Sequence, residues 1–448
     1  MLNEGLVSQI AEELRGGRDG ASLVEAYHTA DIASALERLE SDEARIAAFD
    51  AIPEEEAAEI LAYLDDHYRS MILERSSAGK IGRIITHLDS DDAADILASV
   101  DDDIAEKVLR SVSDEAPEVV ALLQYDEESA GGIMQTELMS APGHFTVRQT
   151  IDAMAGKEEE IGDIHNVFVT DAQQRLVGVV PLRKLILAAQ DKKMRDLVGE
   201  GPLVYATTEM DQEKVAQLFK RYDLVSLPVV DGDGRLTGRI LIDDVVDVLE
   251  DEASEDIMKL VGANEEALDA GRSALQMARY RLPWLASSLV AGFITGGVIL
   301  QFEGALKELV ALTAFIPIIM GVSGNVSTQS STLVIRGLAT GKFNPEALTS
   351  YFVREVKIGV TLGAVCGVAS ALFALIWQGS PMLGVVVGVS LFLAIMCAAI
   401  LGTIIPLFFR WVNIDPAIAG GPMVLALNDL TGVLIFFGIA TSLISYLI

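Results

Sequence analysis

Five apolar stretches, at 283–302, 309–335, 355–377, 382–409 and 421–447, constrain this chain more than any other feature. Each approaches or exceeds the ~20 residues needed to cross a bilayer as a helix. In hydrocarbon a segment must satisfy its own backbone N–H and C=O groups, so these segments are expected to be helices. The second is the least apolar, because "GVSGNVSTQSST" fills its later half. Arg279 and Arg281 precede the first span, Arg336, Lys342, Arg354 and Lys357 bracket the link between the second and third, and Arg410 follows the fourth. Only Lys307 lies on the other side. The positive-inside rule therefore places everything before the first span in the cytoplasm, and an odd number of spans places the C-terminus outside.

Charge divides the chain at the same boundary. The 448 residues carry a net charge of −32, yet from residue 283 onward six acids balance six bases, so the whole excess belongs to the front part. Such a surface repels nucleic acid and attracts cations. Nucleic-acid binding is excluded on this ground. Cys366 and Cys397 lie in apolar runs without metal-ligand spacing and read as packing residues. The N-terminus lacks a basic, apolar signal peptide, so targeting is expected from the later spans. No phosphate-binding Gly-Lys-Thr loop or Ser/His/Asp set is present, and the five histidines are scattered through the front part, so an enzyme is not expected.

Two groups of polar residues stand out within the spans. Pro422 suits the first turn of the fifth helix. At ~1.5 Å per residue, Asp429 then lies ~10 Å into the membrane from the cytoplasmic end. A carboxylate there must be neutral, paired, or facing water or a cation. In the second span, Asn325, Thr328, Gln329 and Thr332 follow the i, i+3, i+4, i+7 spacing of one helix face. Two readings stay open for that face: a hydrated path, or hydrogen bonding between spans. A wide polar tube with one carboxylate per subunit suits a hydrated divalent cation, since a small hard cation takes oxygen ligands and sheds water reluctantly. Five spans enclose little space alone, so a symmetric homodimer with a pathway near its two-fold axis is expected. Gly292, Gly296 and Gly297 of the first span would allow close helix contact.

In the front part, "IASALERLESDEARIAAF", "IPEEEAAEILAYL", "LDSDDAADILASV" and "VDDDIAEKVLRSV" repeat a short helical theme. Each opens on a polar or acidic cap and continues with apolar residues at helical spacing, as stacked short helices do. From about residue 131 the pattern changes. "HNVFVTDAQQRLVGVVPLRKLIL" and "LVSLPVVDGDGRLTGRILIDDVVDVL" each read as strand, acidic turn, strand, helix, and each follows a helical segment. This is one α/β module present twice. The segment 251–281 reads as a helix joining the pair to the membrane.

With these features in hand, the chain resembles the MgtE magnesium channels over essentially its whole length. The most specific stretches are "SGNVSTQSSTLVIRGLATG" and "DPAIAGGPMVLALNDLTGVLIFF". The resemblance implies a multidomain fold: an acidic α-helical superhelical N-terminal domain (1–130), tandem α/β CBS domains (131–199 and 200–256), a connecting plug helix (257–280) and a five-helix α transmembrane domain (281–448). It implies a homodimeric channel in the bacterial inner membrane, lined by Asn325, Thr328, Gln329, Gly421 and Asn428, with Asp429 coordinating hydrated Mg²⁺. It also implies closure by cytosolic Mg²⁺ held among Glu59, Asp91 and Asp95 of the first domain, Asp211, Asp223, Asp244 and Asp247 of the second CBS domain, and Glu252, Glu255 and Asp256 at the entry to the plug. Solvated surface charge is the alternative for each of these acids. Gly421 departs from relatives that carry a polar residue before the proline. ATP is left without motif support, because Lys184 replaces the usual acid in the first module and the second keeps Asp244 without the hydroxyl. Two other readings remain: the same architecture conducting Co²⁺ or Mn²⁺, and a membrane-anchored metal or nucleotide sensor that does not conduct.

Overall fold

The computed structural model describes residues 4–98, 100, 102–112, 116–156, 164–263, 273–308, 310–340 and 348–443. Lys342, the middle of the connecting segment at 264–272 and the end of the fifth apolar stretch lie outside them. The chain forms two compact units, Met1–Leu249 and Glu250–Ile448.

In the first unit, ten helices, α1 (Glu4–Arg15) to α10 (Pro117–Leu122), occupy the described N-terminal residues. Small polar residues start them where the sequence places caps. Ser41 accepts a hydrogen bond from the Ala44 N–H, and Ser77 accepts one from the Lys80 N–H. Their apolar faces meet in a core that includes Ile32, Leu36, Phe49, Ile60, Leu61 and Ile84. Arg45, buried in this stack, donates to the carbonyls of Leu36 and Leu39 at 3.0 and 2.6 Å and pairs with Asp42 at 2.8 Å. Its guanidinium lies 4.4 Å from the Tyr68 ring centre. The helix carrying Leu36 thus has its C-terminal carbonyls satisfied by a cation, as the helix dipole favours.

The α/β module is repeated closely. The first copy comprises β1 (Ser140–Pro142), α11 (Val147–Ala155), β2 (Asn166–Thr170), β3 (Leu176–Pro181) and α12 (Leu182–Ile186). The second comprises β4 (Ala206–Thr207), α13 (Gln212–Tyr222), β5 (Ser226–Val230), β6 (Leu236–Leu241) and α14 (Ile242–Val261). Both sheets have the order first–second–third strand, with a parallel pair followed by an antiparallel pair. The short strands β1 and β4 carry too few residues for a sequence pattern. In the antiparallel turns, Asp171 Oδ1 accepts from the N–H groups of Gln173 and Arg175, and Asp231 Oδ1 accepts from those of Asp233 and Arg235. These acids hold their turns. The two turns also bond each other reciprocally, Leu176 N–H to Gly234 O and Leu236 N–H to Gln174 O, at 3.1 and 3.0 Å.

The second unit holds five helices long and apolar enough to span a membrane. They are α15 (Ala274–Gln301), the 3₁₀ and α stretch Val310–Ala339 whose α part is α17 (Ile316–Ala339), α18 (Leu348–Gln378), α19 (Pro381–Trp411) and α21 (Pro422–Ser442). Two short helices, α16 (Glu303–Glu308) and α20 (Pro416–Gly420), and the end of α14 also lie among its described residues. The connecting segment does not form one helix across 251–281. α14 ends at Val261, where Gly262 adopts φ 69° and the Ala263 N–H bonds back to the Met258 carbonyl. A left-handed glycine with this backbone bond terminates a helix. A new helix, α15, starts after Ser273, which forms a capping box with Gln276, and it runs through Pro283 into the first span.

Within the protomer, the first-span glycines make no close contact among the described residues. Among those residues, and apart from the glycine's own helix backbone, nothing stands within 4 Å of a β-carbon built at Gly292, Gly296 or Gly297. The intimate contact is instead between α18 and α19, where a β-carbon at Gly367 would lie 2.7 Å from the Gly388 carbonyl oxygen and one at Gly388 would lie 2.8 Å from that of Gly367. Small residues let two membrane helices approach to backbone contact. Gly388→Val should therefore lower the thermal stability of the membrane half by about 1–3 kcal/mol, the usual cost of overpacking. Melting of the purified full chain in detergent checks this, and an unchanged melting temperature would contradict the contact.

Candidate ion site and acidic clusters

Helix α21 carries Asn428 and Asp429 side by side, and a helix turns ~100° per residue, so they face different neighbours. Asn428 is 1% exposed. It donates through Nδ2 to Ser323 Oγ of α17 at 3.0 Å, and Ser323 in turn donates to the Ile319 carbonyl at 2.7 Å. Its amide is thus used in an interhelical bond inside the protomer, where low polarity makes an unpartnered amide costly. Asp429 is only partly buried. None of the ion pairs among the described residues uses it. On α17, the polar residues divide into two sides. Asn325, Thr328 and Gln329 are exposed on the single chain, whereas Ser323, Ser327, Ser330 and Ser331 are buried. Sequence spacing identified the first side, but the serines gave no signal, since hydroxyls serve either side of a membrane helix.

The end of α14 packs on the beginning of α21. A β-carbon at Gly421 would stand 2.9 Å from the Leu260 carbonyl oxygen, and one at Gly262 would stand 3.1 Å from the Pro422 ring. Gly421 is thus required for this approach, a reason independent of ion contact. Lys259 of α14 pairs with Asp415 at 2.6 Å and with Glu255. Asp415 also caps α20, accepting from the Ala417 N–H at 2.8 Å. Burial alone would lower the Lys259 ammonium, but its hydrogen bonds to Asp415 and Glu255 outweigh that and raise it. Asp256 is pushed up to about 6, by burial and then by the charge of Asp415.

A second acidic group lies within the first unit, where α8 (Ser90–Ala98) meets the second α/β module. Asp91 is 6% exposed, and its Oδ2 accepts from Gln135 Nε2 at 3.2 Å. Burial, then the charge of Asp92, pushes Asp91 up to about 7. Asp244 accepts from the Leu241 N–H at 3.0 Å, and burial followed by Asp91 pushes it up to about 8. Asp89 and Asp243 add charge to the same group, and Asp95 adds charge to Asp92. Two cations moderate it: buried Arg239, whose Nε donates to Gln135 Oε1 at 2.9 Å, and Arg69, which acts on Asp92.

The expected ligands are thus only partly brought together. Asp91, Asp244 and, at one remove, Asp95 share one cluster, and Glu255 and Asp256 share another. Glu59 is exposed on α5 (Glu54–Tyr63). Asp211 caps α13, accepting from the Lys214 N–H at 3.3 Å, and Asp223 ends the same helix at φ 50°, so both have local roles in the backbone. Asp247 and Glu252 lie on α14. Among the described residues no three Asp, Glu, His or Cys side chains converge tightly enough to hold a bare ion. Asp89, Asp92, Asp243 and Asp415 were missed. The "LDSDDAAD" run contains the first two, but acids at a helix start are expected from the macrodipole alone and signal nothing further.

Comparison with known proteins matches this arrangement. A model described as a divalent cation transporter, MgtE, matches residues 316–439, the MgtE intracellular N domain matches 27–128, and CBS domains match 130–191 and 194–251. Magnesium transporter MgtE of Bacillus subtilis is 36% identical over 99% of this chain and 98% of its own length. That of Thermus thermophilus is 34% identical over 99% of each. Among solved structures, the cytosolic domain of the Mg²⁺ channel MgtE in complex with ATP superposes with TM-score 0.50 at 31% identity, covering 54% of this chain and 99% of that one. The soluble part of a magnesium transporter gives TM-score 0.51 at 28% identity, covering 56% of this chain and 99% of that one. With five apolar helices, a cytoplasmic N-terminal domain, a CBS pair and full-length relatives at this identity, the chain belongs to the MgtE family of magnesium transporters.

Proposed function

We propose that this protein is a Mg²⁺ channel whose conducting path passes Asp429 and which cytosolic Mg²⁺ closes. The observation that carries the reading is an acid, half-open and in no ion pair among the described residues, one third of the way through a membrane helix. A carboxylate in that position needs a cation or water beside it. The exposed polar side of α17 supplies the oxygens for a hydrated divalent ion, and a second copy of the chain is its natural opposite wall. The C-terminus then lies outside the cell. In liposomes with low Mg²⁺ on the cytoplasmic face, wild-type protein should conduct Mg²⁺ and Asp429→Ala should lose flux at least ~100-fold, as removal of about 3 kcal/mol of ion stabilisation would give. Equal flux in both would remove Asp429 from the path. No flux in either, with a folded dimer confirmed, would favour a non-conducting sensor. Competition by Co²⁺ and Mn²⁺ in the same assay tests the other conducted ions.

Closure follows from charge. Crowded acids repel, and divalent ions that bind one arrangement better shift the population toward it. The clusters at Asp91/Asp244 and at Asp256/Asp415 are the places where such repulsion accumulates. Nucleotide is not needed for this reading, since Asp244 is committed to the Leu241 N–H and the acidic cluster.

Two outcomes test the gate. Asp91 and Asp244 hold their protons more tightly folded than unfolded, so the folded state binds more protons between about pH 4 and pH 8. Without divalent ions, the cytosolic half of the full chain should therefore melt lower as pH rises through that window, by roughly 4 °C or more. Millimolar Mg²⁺ should restore the loss at the alkaline end and do little at the acidic end. A melting temperature insensitive to pH would remove repulsion from the mechanism. At the other cluster, Lys259→Met keeps the aliphatic stem but leaves Asp415 and Glu255 without their cation. Closure should then require about threefold more cytosolic Mg²⁺, a modest shift because the pair is partly exposed. Mg²⁺ titration of flux reads this directly.

A further inference from the structure

A second carboxylate lies inside the membrane half and has no part in the path described above. Glu355 of α18 is 3% exposed, and its Oε2 accepts from Ser330 Oγ of α17 at 3.2 Å. Its other oxygen, Oε1, is buried and makes no hydrogen bond. On the same buried side of α17, the hydroxyls of Ser327 and Ser331 make none either. Gly402 of α19 closes over them: a β-carbon there would stand 2.4 Å from the Ser327 carbonyl oxygen and 3.1 Å from Ser330 Cβ.

An ionised carboxylate taken out of water needs several donors or a positive charge, and the neutral hydroxyls of Ser330 and of Tyr351 beside it are far short of that. The basic residues nearby do not supply it. Arg354 and Lys357 of α18, Arg336 of α17 and Arg410 of α19 are all exposed, and the Arg354 guanidinium lies 4.7 Å over the ring of Tyr351, one turn before Glu355. Among the described residues no ion pair involves Glu355. The unbonded carboxylate and serine oxygens have the chemistry of a small cation's ligands, and they present no donor beyond hydroxyls.

We propose that Glu355, with Ser330 and the neighbouring serines of α17, forms a second intramembrane cation site that holds one monovalent positive charge, a proton or a sodium ion, separate from the divalent path at Asp429. Its occupancy would clamp α18 to the buried side of α17, the helix whose opposite side carries Asn325, Thr328 and Gln329.

Infrared difference spectra of the full chain in nanodiscs, wild type minus Glu355→Gln, test this in sodium-free choline buffer at neutral pH. A protonated-carboxyl C=O band in wild type that the variant lacks identifies the charge as a proton. If the band is absent, sodium titration of thermal stability decides. Sodium, but not choline, should then raise the melting temperature of wild type. Ser330→Ala should weaken that response about tenfold, the scale of one hydrogen bond to a charged group, and Glu355→Gln should abolish it. A wild type that shows only the ionised carboxylate and no sodium response overturns the proposal. Ser330→Ala and the wild-type titration remain informative if Glu355→Gln does not fold.

Discussion

The cost of an unpaired charge away from water organises this protein from one end to the other. In the membrane half it limits acids to a few positions, each with a physical resolution. Asp429 stays half-open to its surroundings, Glu355 is enclosed with serine hydroxyls, and Asp415 sits at a helix start with Lys259 beside it. In the first unit the same cost appears as acids held protonated well above their ordinary range at Asp91 and Asp244. Both halves therefore store electrostatic free energy that a cation can release.

In the proposed function, one chemistry serves both transport and its control. An ion that stabilises a carboxylate in the path and an ion that relieves repulsion between carboxylates in the cytosol do the same chemistry in different surroundings. The family's divalent cation is suited to both, since it takes oxygen ligands and keeps part of its water. Tethered cations complement it. Arg239 and Lys259 each stand among acids as fixed positive charges, so the two clusters are only partly neutralised without metal. In the proposed gate, partial neutralisation would keep the energy gap between arrangements small enough for a few bound ions to reverse it.

Reading the sequence and reading the structure diverge in an instructive pattern. Periodicity identified the five spans, the doubled α/β module and the short helices, because hydrophobic spacing repeats along each element. Asp429 also stands out in the sequence, because an acid in an apolar run is anomalous wherever the helix faces. Periodicity did not show which way Asn428 turns, since adjacent residues on a helix point about 100° apart and only the packing shows which one faces inward. The contribution of Asp89, Asp92 and Asp243 was hidden for a related reason: an acid at a helix start looks the same whether it meets water or another acid.

Composition and spacing alone determined that this chain is an acidic cytoplasmic part joined to a neutral membrane part, since charge and apolar length are additive properties of local sequence. They also determined the repeat, whose two Asp-centred turns follow from residues four apart. Tertiary structure decided that Gly367 and Gly388 carry close packing between α18 and α19 within the protomer. It decided that the connecting helix stops at Gly262 and rests on Pro422, and that Lys259 finds Asp415. These are contacts between residues up to 160 positions apart. No local pattern encodes them, because whether two such groups meet depends on how every intervening helix packs.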